Sequence, residues 1–122
     1  MSTVVEAAHA VAIEQPLETI ASELQDVLGQ RVVAYAIGDR HPKTVGRYAR
    51  GERTNIDYLT EQRLIDTYTA LHVLLQQLKP RTARSWMLGS NPALNGISPI
   101  ELIHDGRAGE VIGAAEAFVV GR

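Results

Sequence analysis

Leu64, Tyr68, Leu71, Leu75 and Leu78 recur at steps of four and three within the stretch Ile56 to Leu78. That spacing sets them on one face of an amphipathic α-helix of about six turns. It is the longest element the sequence predicts, and it makes this segment the spine that the rest of the chain must cover.

The flanking sequence supplies helices rather than strands. Pro16 suits the first turn of a helix, where a missing N–H costs nothing. Ile20, Leu24, Val27 and Leu28 then repeat at helical spacing up to Gly29. A short helix is expected over Gln30 to Ile37, a turn at Gly38-Asp39, and a third helix from Pro42 to about Arg50, stopped by Gly51. Val32 to Ile37 has strand propensity, but with no partner strand visible the helix is preferred. Asn55 or Thr54 is the expected cap of the long helix. Pro80 opens another helix towards Leu88. Ser98, Pro99 and Glu101 have the order of a capping box. The last helix runs from Ala108 to about Val120, with Val111, Ala115 and Phe118 expected to face inward.

The expected fold is therefore all-α. Residues 1–15 read as a flexible N-terminal arm and 16–54 as helix-turn-helix-like, a candidate DNA-binding region. Residues 55–79 are the long central helix, and 80–122 form a small C-terminal helical domain.

Charge is unevenly spread, although the net charge is only -2. Residues 1–30 carry five acids and no lysine or arginine, whereas 31–53 carry six Lys/Arg and two acids. In the predicted helix after the turn, Val45, Tyr48 and Ala49 share one face and Lys43, Arg47 and Arg50 another. A helix with a packed back and a cationic front is what a major groove requires, Arg reading base edges and Thr44 lying beside them. Arg53, with Arg31 or Arg40, can meet phosphates. The plainer reading of the same run is a solvated basic face. A single such helix binds weakly, so DNA contact would call for a two-fold dimer.

Several classes are excluded or disfavoured. The chain has no cysteine, which rules out disulfides, thiolate catalysis and thiolate metal sites. It has no long apolar run and no basic leader ahead of its first apolar stretch, so a cytoplasmic location without membrane attachment is the expectation. His9, His41, His72 and His104 do not stand at helical ligand spacing with one another, and no nucleophile elbow or phosphate-binding glycine loop is present. No enzyme, cofactor or metal site is expected. His72, one turn after Tyr68, reads as a packing or surface residue.

The remaining feature is 86-WMLGSNPALNGISPIELI-103, which combines Asn-Pro, Asn-Gly and a second proline in a sharply shaped loop. Trp86 is placed to brace that loop. Asn91, Asn95 and Ser98 can bond local backbone, and Gly89 and Gly96 supply permissive geometry. Trp86-Met87-Leu88-Gly89, Asn91-Pro92-Ala93-Leu94-Asn95-Gly96 and Ser98-Pro99-Ile100-Glu101-Leu102, with Val45 to Gly51 upstream, resemble the Xre/MbcA/ParS-like antitoxins over roughly residues 25–122.

The resemblance implies a non-catalytic protein that binds a cognate RES-type toxin, one that consumes NAD⁺ or uses it for ADP-ribosylation. The antitoxin obstructs the toxin's NAD-binding cleft. Some members also bind their own promoter. Carried onto this chain, the toxin-binding residues are Trp86, Asn91, Pro92, Leu94, Gly96, Phe118, Gly121 and Arg122. Arg122 would offer its guanidinium to polar or acidic groups of the cleft, with the chain-end carboxylate in an anion subsite. The implied assembly is a homodimer within a larger toxin–antitoxin hetero-oligomer. The chain departs from the family in lacking a Ser-Gln-x-Glu opening before Gly38, which bears on operator DNA more than on the toxin. The alternative is a stand-alone helix-turn-helix transcriptional regulator.

Overall fold

The computed structural model describes residues 3–52 and 55–121. These form eight α-helices and one turn of 3-10 helix, with no strand among the described residues. The helices are α1 (Thr3–Glu14), α2 (Leu17–Leu28), α3 (Gln30–Ile37), α4 (Pro42–Ala49), α5 (Tyr58–Leu75), α6 (Pro80–Leu88), α7 (Pro99–His104) and α8 (Ala108–Val120), with the 3-10 turn at Pro92–Leu94.

The spine is real, but it is not amphipathic. Helix α5 packs against α1, α2, α3, α6, α7 and α8, and in its middle Thr67 to Leu71, Val73 and Leu74 are all buried. Two of these are polar. Thr67 Oγ1 donates to the Arg63 carbonyl (2.6 Å) and Thr69 Oγ1 to the Ile65 carbonyl (2.8 Å). Bonding back one turn satisfies the hydroxyls inside the helix, so a threonine can be buried there without an unpaired donor.

The second covered side of α5 comes from the segment expected to be a flexible arm. Residues 3–14 form α1, which packs on α5 through Val5, Ala8 and Ala12. Those side chains are small, so the backbones come close, and Gln76 Nε2 donates to the Val4 carbonyl at 3.0 Å. Burial raises the Asp66 carboxyl on α5, a shift opposed by the hydrogen bond from Gln62 and by His9 on α1. The cap of α5 is also not the one expected. Asp57 Oδ1 accepts from the Thr60 amide at 2.7 Å, and that bond holds the Asp57 carboxyl below its ordinary range. Asn55 precedes the cap, and Thr54 lies outside the described residues.

Polar ties fix the other helices to the spine. The Tyr68 hydroxyl of α5 donates to Glu23 Oε2 of α2 at 2.6 Å, and burial followed by this bond raises the hydroxyl well above the usual tyrosine range. Glu23 Oε1 also stands 2.8 Å from His72 Nε2, without the alignment of a hydrogen bond. His72 and Tyr68 pack ring to ring.

Two arginines close helix ends. Arg84 of α6 donates to the Leu28 and Val27 carbonyls at the end of α2, and a cation there complements the helix dipole. Arg63 of α5 lies over Gly38, the left-handed cap of α3, where an added Cβ would meet its Nη1 at 2.9 Å. The same guanidinium is close to Gly106, which follows α7. His104 Nδ1, at 2.6 Å, adds a bond from α7 to the Tyr35 carbonyl of α3, and the two rings stack. The helix-turn-helix region and the C-terminal helices are thus joined directly as well as through α5.

Candidate functional site

Two surfaces carry the residues singled out from sequence. The first is α4. Pro42 starts it, Val45 and Tyr48 are buried, and Gly46 is packed so closely that an added Cβ would meet Gln30 Nε2 at 2.6 Å. The back of α4 thus fits against α2 and α3. Lys43, Arg47 and Arg50 are exposed and Thr44 is half-buried beside them, so the structure brings these four together. Arg53 lies outside the described residues.

Sequence reading missed how this face ends. The Gly51 amide donates to the Tyr48 carbonyl and the Glu52 amide to the Arg47 carbonyl, with Gly51 at φ 74°. This paired closure is a Schellman motif, and its left-handed residue suits glycine. It folds Glu52 back over the cations. Glu52 Oε2 is 2.6 Å from Arg50 Nε and Oε1 is 3.7 Å from Arg47 Nε. The Arg50 hydrogen bond, followed by the charges of both arginines, holds the Glu52 carboxyl below its usual range.

The second surface is built by α6, the 3-10 turn and α8. Asn91 Oδ1 accepts from the Ala93 amide at 2.9 Å, and the Asn91 carbonyl accepts from Leu94 and Gly96 at 3.0 and 2.8 Å. Asn95 and Gly96 follow in left-handed conformation, which asparagine and glycine adopt at least cost. Ser90 Oγ closes the loop on the Gly96 carbonyl at 2.8 Å. Asn91 and Leu94 are buried. They shape the turn and anchor it on α8, while Pro92, Ala93 and Gly96 are exposed. Replacing Asn91 with alanine removes a capping acceptor inside the turn, and a loss of about 1–2 kcal/mol in chemical denaturation is expected.

Trp86 is half-buried, and its ring meets that of Phe118 on α8 with centroids 6.0 Å apart. Phe118 does not face inward as expected; it is 37% exposed. Val111, Ala115 and Val119 continue the four-residue step into the core, which leaves Phe118 on the flank nearest Trp86. Val120, 67% exposed, and the open Gly109, Gly113 and Ala117 form the outward strip of α8. An added Cβ at Gly109 or Gly113 would meet nothing within 4 Å, so no packing inside the chain requires these glycines. The four-residue Gly109, Gly113, Ala117 spacing was the available sequence signal. Gly121 is exposed, and Arg122 lies outside the described residues. At the start of α8, Arg107 pairs with Glu110 through two hydrogen bonds, which lower the Glu110 carboxyl.

No group of three or more His, Asp or Glu side chains among the described residues is placed to hold a metal. No helix among them is long and apolar enough to cross a membrane.

No family model matches the chain, and no curated protein matches it. Among solved structures the chain is similar to MbcA, the antitoxin in the crystal structure of the M. tuberculosis MbcT–MbcA toxin–antitoxin complex, at TM-score 0.75 and 26% sequence identity. The match covers 88% of this chain and 96% of that one.

Proposed function

We infer that this chain is an antitoxin: a non-catalytic protein that docks on a cognate RES-type toxin and obstructs its NAD-binding cleft. The observation that carries this reading is the structural likeness to MbcA, which extends over nearly the whole chain. The C-terminal surface has the chemistry such a role needs. An aromatic pair, Trp86 and Phe118, stands beside an internally bonded turn and a helix strip of small apolar residues. Rigid aromatic anchors on a preorganised support are what concentrate binding energy at protein interfaces. The glycine and alanine positions of α8 let a partner's backbone approach closely, at a helix-propensity cost of roughly 1 kcal/mol per glycine.

The test is to mix the purified chain with a cognate RES-type toxin and to follow NAD⁺. Consumption should stop near stoichiometric ratios and the two proteins should co-elute. Unabated NAD⁺ loss in the presence of excess chain overturns the reading.

A second role has its own support. The exposed Lys43, Arg47 and Arg50 on a helix packed from behind by α2 and α3 suit contact with operator DNA, with two copies of the chain providing paired half-sites.

A further inference from the structure

We propose that Arg47 and Arg50 form a clamp for a DNA backbone phosphate, and that Glu52 is its built-in competitor, filling the clamp when no DNA is present. The proposal rests on the DNA-binding role set out above and goes beyond it, because it names the ligand group and the residue that sets the affinity.

The geometry runs from the backbone outward. Arg47, in the last turn of α4, and Arg50, the residue that caps it, are three residues apart and so lie on one side of the helix end. Their Nε atoms converge on a single carboxylate, one oxygen at 3.7 Å and the other at 2.6 Å. The carboxylate is delivered by the backbone. Gly51 reverses the chain, and the Glu52 amide is fixed to the Arg47 carbonyl at 3.0 Å. A carboxylate hydrogen-bonded to one guanidinium and within ionic reach of a second stands where the oxygens of a phosphate can take the same charge-assisted contacts.

The position along the helix agrees with this. The N-terminal end of a recognition helix enters a groove, and Lys43 and Thr44 occupy that end of α4. Arg47 and Arg50 sit towards the other end, where contacts to the sugar-phosphate backbone position the helix without reading sequence.

The competitor is weak by construction. The Arg47, Arg50 and Glu52 side chains are 53%, 62% and 46% exposed, and exposed ion pairs are screened and add little stability. A phosphate in the high field of a duplex can displace the carboxylate, but the displaced negative charge stays beside the DNA. Glu52 therefore lowers affinity without abolishing it.

The experiment uses the full chain, a fluorescein-labelled duplex of mixed sequence and anisotropy titrations over a range of salt. Glu52→Gln, which keeps the backbone closure, is expected to bind three- to tenfold more tightly than wild type at moderate salt. Its logarithmic salt dependence should steepen by about one phosphate contact. Glu52→Asp, which retains the charge, should stay near wild type. Adding Arg47→Ala and Arg50→Ala to Glu52→Gln should erase the gain. Equal affinity of wild type and Glu52→Gln overturns the competitor and leaves DNA binding standing. Failure of both to bind at low salt overturns the DNA-binding role and the clamp with it.

Discussion

Aspartate at both Phe118 and Val120 is expected to weaken toxin binding by at least about 100-fold, measured by calorimetry or by the amount of chain needed to halt NAD⁺ consumption. Truncating an aromatic anchor at the centre of an interface costs about 2 kcal/mol or more, and each 1.4 kcal/mol is about a factor of ten in affinity. A carboxylate forced into a desolvated contact without a partner adds to that cost. The fold should tolerate the change, because Phe118 and Val120 are 37% and 67% exposed. Loss of the Trp86–Phe118 ring contact accounts for roughly 0.5–1.5 kcal/mol of stability. Val120→Asp alone touches no such contact and should leave the thermal midpoint nearly unchanged, which separates docking from folding. Wild-type affinity in the double variant would remove this face from the interface.

Leu71→Ala should have the largest effect on stability. Leu71 is fully buried in the middle of α5, the helix that six others contact. Removing a leucine's outer carbons from such a site costs about 2–5 kcal/mol, the higher values arising where the surroundings cannot collapse into the void. Here the surroundings are braced by the Tyr68–Glu23 hydrogen bond and by Arg84 on the end of α2. For a chain of this size the midpoint of thermal unfolding should fall by roughly 10 °C or more. A fall of only one or two degrees would mean that the core around α5 is loosely packed.

Much of this was legible in the residues. Pro16, Pro80 and Pro99 mark helix starts, Gly29, Gly38 and Gly51 mark ends, and Ser98 accepts from the Glu101 amide. Local chemistry fixes those points, so local sequence reveals them. Helix α1 was hidden because its packing face is Val5, Ala8 and Ala12 among other small apolar residues, which gives little contrast between its sides. Overlooking α1 also made α5 read as one-sided, since Thr67 and Thr69 count as polar until their hydroxyls are seen bonded within the helix. The Asn91 to Gly96 turn was recognisable as shaped. That Asn91 and Leu94 are buried supports, with Pro92 on the surface, follows only from the way α8 lies beside them. The basic face of α4 could be counted from sequence, but its partial neutralisation depends on the left-handed Gly51 that swings Glu52 back.

The guanidinium of Arg63 lies beside Gly38 and Gly106, at the ends of α3 and α7, and His104 bonds α7 to the Tyr35 carbonyl of α3, so α4 and α8 are carried by one packed set of helices. With the described helices packed around α5, the protein is expected to act as a rigid spacer. Whatever is gripped at α8 is held at a set distance and azimuth from whatever is gripped at α4, and in an assembly of several copies that fixed offset, rather than any flexible tether, dictates how neighbouring partners are arranged.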